Sequence, residues 1–422
     1  MRIPITAWTR KAPSTPSGAL IALSLRSSAP RVIRPVRQAV TLLRNRLAGP
    51  AFADRVRRRG GLPEAAVAVF FATGPENFYQ FEQWRLPLEH LALQRPVFVI
   101  VDRPDTGDLV LQSSNLPVAY ARSSRELEEL VADRDIRAVL YLNQIEANFR
   151  MLRFASPVHI QIGHGESDKG GSVSNQHKAY DLTFVGGDAG RDRLAHALRG
   201  FDASERTLTV GRPQLDHSYP GAPHWPRDSG LRVWYAPTWE GDRPSIAYGS
   251  LASHGVAIVE ALLADPSVRV IYRPHPRTGY ASSSHRGADK AIRALLAKEG
   301  NRHLVDHEDY GWQWDFADVC LTDISAVAYD WLATGKPLVI TEPAPTAYRP
   351  PSALLDSVPL LRAAEASEVL AKIHALHSDS EAREQLRGLA YHYFGDVSAQ
   401  QSTKRFEDAI EHAYQIQQSS TS

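Results

Sequence analysis

The stretch LTDISAVAYDWLATGKPLVI, residues 321–340, changes periodicity twice. A β-type run ends at Leu321-Thr322. Asp323 and Ser325 open a helix over Ala326–Thr334, Gly335-Lys336-Pro337 closes it, and Leu338–Ile340 resumes as strand. Strand, helix and strand in so short a segment form a βαβ unit, whose strands run parallel and are covered on both faces.

The same alternation extends in both directions. Upstream lie strands at Val319–Thr322, Val268–Tyr272 and Val233–Ala236, with helices at Leu251–Leu263 and Ala288–Lys298. Residues 211–230 break the pattern with Pro213, Pro220, Pro223 and Pro226, a linker composition. Before the break, strands are expected at Ala66–Phe71, Val97–Val101, Val118–Ala121, Ala138–Leu142, Val158–Ile162, Leu182–Val185 and Leu208–Val210. Helices are expected at Phe78–Leu93, Ser124–Asp133 and Asp188–Leu198. Downstream the chain reads as helical over Ser367–His377, Ser380–Tyr393 and Thr403–Gln415. The expected organisation is α/β, with two halves of similar size. It comprises a basic leader over 1–60, a first domain over 61–212, a Pro-rich linker over 213–230, a second domain over 231–400, and a closing helix and tail over 401–422.

Composition bounds the rest. A chain of 422 residues exceeds one ordinary core. No apolar run is long enough to span a bilayer. The single Cys320 excludes an internal disulfide framework, fits a reducing compartment, and reads as a buried thiol within a strand. Residues 1–60 hold thirteen Lys or Arg and one acid, Asp54; against an overall charge of +1, the remainder carries −11. An acidic body argues against nucleic acid as a partner. The short apolar stretch Gly18–Leu25 contains Ser24 and is followed by more basic residues, unlike a secretory signal. Val36, Val40, Leu43 and Leu47 share one helical stripe beside Arg37, Arg44 and Arg46. Such a segment is expected to lie on an anionic membrane surface; a solvated basic tail is the other reading. Arg outnumbers Lys 40 to 8, a bias of GC-rich bacterial genomes.

Ligands of open α/β sheets bind beyond the carboxyl ends of strands, and three motifs lie there. IQIGHGESDKGG, 160–171, ends a strand in Gly163-His164-Gly165, a small-residue turn around a titratable ring, with Lys169 shortly after. VIYRPHPRTGY, 270–280, brackets His275 with Pro274 and Pro276, and Arg273 and Arg277 flank it, donors suited to a phosphate. Asp323 and Ser325 open the helix at 326, an arrangement that serves equally as an N-cap or an anion site.

Taken in order, the His-Gly loop, the Pro-rich linker, YAPTW at 235–239, Arg-Pro-His-Pro, the Asp-x-Ser helix start and Lys336-Pro337 resemble the CDP-glycerol glycerophosphotransferase family. The resemblance runs over residues 155–415 and includes GDVSAQQSTKRFEDAI at 395–410. It implies a GT-B fold, two Rossmann-like domains facing a central cleft with a C-terminal helical segment. It also implies transfer of a polyol phosphate, glycerol phosphate first, from a CDP-activated donor to the hydroxyl end of a lipid-linked cell-wall or capsule polymer, with release of CMP. By the same resemblance His164 is the general base and His275 the second catalytic histidine. Arg273, Asp323 and Ser325 hold the donor pyrophosphate, and Gly163, Gly165 and Lys169 form the acceptor-side loop. The implied place of action is the inner face of a bacterial cell membrane, with residues 1–60 as a peripheral tether.

Two motifs depart from the family. His-Gly-Thr-Pro-Leu-Lys becomes His164-Gly165-Glu166-Ser167-Asp168-Lys169, which brings two acids into the acceptor loop. The second serine of the third motif is Ala326, a loss of about 1 kcal/mol of phosphate binding. No metal-ligand spacing is visible, so no cofactor is expected, although a Mg2+ held by the diphosphate would leave no trace in sequence. A nucleotide-sugar glycosyltransferase of the same fold and a non-catalytic polymer-binding scaffold are the alternative readings.

Overall fold

The computed structural model describes residues 33–168, 173–226, 230–243, 246–307, 310–344, 347, 351–358 and 360–420; the side chains of 33–43 and 420 lie outside that description. The chain divides into two compact units, Met1–Leu47 and Ala48–Ser422. The described part of the first is helical, the opening of a helix over Ile33–Arg58. The side chains of Val36, Val40 and Leu43 are outside the described set, and Leu47 is exposed. The second unit begins well before the expected boundary at 61. Phe52 is fully buried in the first sheet's core and meets Tyr120 edge-on, so residues 48–58 belong to the α/β body and not to the leader.

Two parallel sheets build that body. The first contains β1 (Ala66–Phe70), β2 (Val97–Val101), β3 (Val118–Tyr120), β4 (Ile136–Tyr141), β5 (Val158–Gln161), β6 (Leu182–Val185) and β7 (Thr207–Thr209), in the order β3-β2-β1-β4-β5-β6-β7. The second contains β8 (Leu231–Ala236), β9 (Val268–Tyr272), β10 (Leu304–Val305), β11 (Val319–Thr322), β12 (Leu338–Thr341) and β13 (Leu360–Leu361), in the order β10-β9-β8-β11-β12-β13. All their pairings are parallel. In each sheet the order reverses beside the first strand, at β1/β4 and at β8/β11. That is the doubly wound arrangement, twice, as a GT-B-like fold requires.

Side-chain alternation explains why both sheets are buried on both faces. Along β1, Val67 and Val69 enter one core while Ala66, Ala68 and Phe70 enter another. Along β8, Trp234 and Ala236 face one side, Val233 and Tyr235 the other. A strand period of two with apolar residues at every position requires cover on both sides. The helix Gln401–Ser420 supplies part of that cover for the first sheet, although it follows the second in sequence. Phe406, Ala409, Ile410, Ala413 and Tyr414 sit in the same core as Val67 and Leu140. Asp216, just after β7, anchors its start by accepting from the Thr403 N–H at 2.7 Å.

Candidate active site

A cleft of about 670 Å³ lies between the carboxyl ends of the two sheets. The first half contributes the segments after β4 and β5 and the helix Tyr79–Leu91; the second contributes the segments after β8, β9 and β11. His164, His275, Arg273, Ser325, Gly163 and Gly165 all line it. Lys169 lies outside the described residues.

The turn after β5 depends on its glycines. Gly163 has φ +62°, a backbone conformation that favours glycine. A Cβ on Gly165 would come within 2.8 Å of the Ala326 Cβ, so the loop approaches the helix after β11 at a distance only glycine permits. Both neighbouring carbonyls are held. Trp84 donates its indole N–H to the Gly163 carbonyl at 2.6 Å, and Arg212 Nη2 donates to the His164 carbonyl at 3.2 Å.

The two histidines are prepared in opposite senses. His164 Nδ1 is 3.3 Å from the Leu142 carbonyl, which can only accept, so Nδ1 carries the hydrogen and the neutral ring's lone pair is on Nε2. His275 Nδ1 accepts the Arg277 backbone N–H at 3.1 Å, so its hydrogen is on Nε2. As neutral rings the two are opposite tautomers. Tyr79 meets both edge-on, each ring pair 5.8 Å apart. Trp239 stacks on His275, and Arg277 lies 4.1 Å over the Trp239 ring.

Arg273 donates to Asp306 at 2.7 Å and packs over Tyr310. Asp306 is nearly fully buried and also accepts from Gln313. Ser325 occupies the N-cap position of the helix Ala326–Leu332, yet its hydroxyl makes no capping bond; it lies 3.3 Å from the Thr322 hydroxyl at the cleft wall. Asp323 departs from the expectation. It is fully buried, is not a cleft residue, and accepts from the Thr238 N–H at 2.7 Å and from the hydroxyls of Ser250 and Thr341. Its carboxylate ties the end of β8 to β12, with burial pushing its pKa up against those donors. It positions the loops after β8 and β12 from outside the cleft lining.

The two acids of the loop after β5 are also partnered. Arg193 binds Glu166, and it donates to Asp168 at 2.6 Å. Burial disfavours the Arg193 charge, but the two carboxylates outweigh it and raise its pKa. Asp168 further accepts from the hydroxyls of Tyr329, at 3.2 Å, and Tyr393.

Sequence reading missed the charged bridge beneath the cleft. Arg212 makes a two-pronged pair with Asp330, at 2.7 and 3.0 Å, and Tyr310 donates to the same carboxylate at 2.9 Å. Burial pushes Asp330 up while the guanidinium pulls it back. This buried pair joins the His164 loop to the helix after β11. One signal was present: Asp330 is the lone acid in an otherwise apolar helix, Ala-Val-Ala-Tyr-Asp-Trp-Leu. Among the described residues no three His, Cys, Asp or Glu side chains converge as a metal site.

The family model for CDP-glycerol:poly(glycerophosphate) glycerophosphotransferase matches residues 159–412, well over half of the chain. No curated protein matches it in sequence. Among solved structures it is similar to the wall teichoic acid polymerase TagF, with a TM-score of 0.53 and 14% identity over 90% of this chain and 98% of that one. It is also similar to the S. aureus MnaA–UDP structure, with a TM-score of 0.55 and 12% identity over 82% and 96%. A UDP-N-acetylglucosamine 2-epimerase gives a TM-score of 0.52 and 17% identity over 83% and 96%. At these identities the likeness is one of fold.

Proposed function

The chain belongs to the CDP-glycerol:poly(glycerophosphate) glycerophosphotransferase family, and from that premise we propose how its cleft carries out the transfer. CDP-glycerol is the donor, and the hydroxyl end of a lipid-linked cell-surface polymer is the acceptor. The acceptor hydroxyl gives its proton to His164 Nε2. Its oxygen forms a bond to the β-phosphorus of the donor, the bond from that phosphorus to the bridging oxygen breaks, and CMP leaves with the electron pair. His275, through Nε2–H, and Arg273 stabilise the charge that grows on the leaving phosphate, and the Ser325 hydroxyl adds a donor. Phosphoryl transfer depends mainly on positioning and on charge stabilisation, which this set of groups supplies. We assign no resident cofactor; a Mg2+ carried in by the diphosphate is compatible with the wall.

The observation that carries this reading is the opposed tautomers of the two rings that line one cleft, His164 with its lone pair and His275 with its hydrogen on Nε2. We further place the enzyme at the inner face of the bacterial cell membrane, held there by the basic leader. Among the described residues no helix is long and apolar enough to cross a bilayer.

Nucleotide release by the purified full chain tests the reading. CMP from CDP-glycerol in the presence of a lipid-linked acceptor is expected. UDP released from a nucleotide sugar, without CMP from CDP-glycerol, would establish the glycosyltransferase alternative. Donor binding without any turnover would establish the scaffold.

A further inference from the structure

In the loop after β9, every backbone N–H from Arg277 to Ser282 has an acceptor, and one side chain outside the cleft lining takes half of them. The Arg277 N–H goes to His275 Nδ1 at 3.1 Å. The Thr278 N–H goes to the His275 carbonyl at 2.8 Å, and the Tyr280 N–H to the Arg277 carbonyl at 3.1 Å. The remaining donors all reach Glu240. Gly279 donates to Oε2 at 2.9 Å, and Ala281 and Ser282 donate to Oε1 at 2.6 and 2.8 Å. Backbone N–H groups gathered in this way bind an anion, and here the chain supplies its own. Glu240 is buried and is not a lining residue of the cleft. Burial raises its pKa, but the backbone donors outweigh burial and hold the carboxyl below its usual value. Gly279 has φ +77°, and a Cβ there would come within 2.8 Å of the Arg286 Cβ, so the turn that aims its N–H at the carboxylate requires glycine.

Glu240 directly follows Trp239. Trp239 stacks on the His275 ring, while Glu240 holds the loop that carries Arg277. Arg277 closes the circuit: its guanidinium lies 4.1 Å over Trp239 and its N–H meets His275 Nδ1. The segment after β8 therefore grips His275 twice, at the ring and through the loop. That Arg277 N–H is what keeps the hydrogen of the neutral ring on Nε2, because a nitrogen that accepts a hydrogen bond carries no hydrogen of its own. Resting on the transfer reading above, we propose that Glu240 is a positioning residue for His275: its carboxylate fixes the loop after β9 where the Arg277 N–H meets Nδ1, and so keeps His275 in its Nε2–H form. Without the carboxylate three N–H groups of the loop lose their acceptor, the Arg277 N–H leaves Nδ1, and the ring takes either tautomer.

The test uses the full chain, the variants Glu240→Gln and His275→Ala, and the double variant. Affinity for CDP-glycerol is measured by calorimetry. The His275 tautomer is read by long-range proton–nitrogen NMR of histidine-labelled protein at alkaline pH, with its signals assigned by their loss in His275→Ala. The wild type should show the Nε2–H form. Glu240→Gln is near-isosteric but turns an amide donor toward a backbone N–H. It should show a mixture of both tautomers and bind CDP-glycerol about tenfold less tightly. Adding Glu240→Gln to His275→Ala should change affinity by less than about twofold, because both act through one ring. Should Glu240→Gln not fold, Glu240→Asp, which keeps the charge on a shorter arm, takes its place in the same cycle. A full loss that persists without His275 makes Glu240 a structural residue only and overturns the inference. An unchanged tautomer in the Glu240 variant, or a wild-type ring in the Nδ1–H form, overturns it too. None of these three results touches the assignment of His275 to the donor. Unchanged donor affinity in His275→Ala overturns that assignment, and the inference with it.

Discussion

The direction in which each histidine points its hydrogen is set by backbone groups that sequence inspection does not reveal. His164 and His275 were legible as candidates because each ends a strand between small or rigid residues. Their opposed tautomers come from Leu142 and Arg277, one twenty-two positions away and one two positions away. Asp323 shows the reverse case. As a sequence feature it reads as a donor-site residue, whereas its carboxylate is used up by Thr238, Ser250 and Thr341. Two predictions belong here. His275→Ala and Ser325→Ala should each weaken CDP-glycerol binding, by about 1–3 kcal/mol for the histidine and about 1 kcal/mol for the serine, read by calorimetry. Asp323→Ala should instead lower the unfolding midpoint, since it leaves the Thr238 N–H unpartnered in a buried site. Unchanged donor affinity in both of the first two variants would remove the donor-site assignment.

At the scale of elements, most strands were readable because apolar β-branched residues run unbroken through them, as in Val97–Val101 and Val268–Tyr272. Leu304–Val305 and Leu360–Leu361 were not, since two residues carry no periodicity. The helix Pro104–Ser113 was missed because Asp105, Thr106 and Gly107 give it a turn-like start. The partner of the closing helix was also beyond sequence reading, since its stripe of Phe406, Ile410 and Tyr414 fits either sheet. Phe406 is buried against Trp84 and Phe184 of the first half. Phe406→Ala should therefore cost about 3–5 kcal/mol in urea unfolding. Acid stability should turn on His303, whose Nδ1 accepts the Val270 N–H at 3.0 Å on the edge of the second sheet. Burial, with Arg302 and Arg269 adding to it, lowers its pKa from 6.5 to about 4. In that window the unfolded chain binds a proton that the folded chain does not, so stability is complete above 6.5 and falls as pH drops toward about 4. Unfolding midpoints taken across that range should fall for the wild type and fall less for His303→Gln.

For the whole molecule, the alternation of strands and helices about a Pro-rich break was enough to expect two doubly wound halves. The bridge that joins them was not, because Arg212 and Asp330 meet across the linker from segments 118 positions apart. The leader divides differently from its charge. Deleting 1–47 should leave the unfolding midpoint of the body unchanged and release the protein from anionic vesicles, where each basic residue contributes about 1 kcal/mol. Deleting 1–60 should destabilise the body, because it removes Phe52 from the core. Equal co-sedimentation of the 1–47 deletion and the full chain would place the tether elsewhere. The claim that unites these scales is a division of labour across the cleft, with proton acceptance in the first half and donor binding in the second. Its most direct measurement is CMP release from CDP-glycerol by His164→Ala, taken alongside its donor affinity. A fall in turnover of about a hundredfold or more with donor affinity preserved is the predicted result. Turnover like that of the wild type in the folded variant would contradict it.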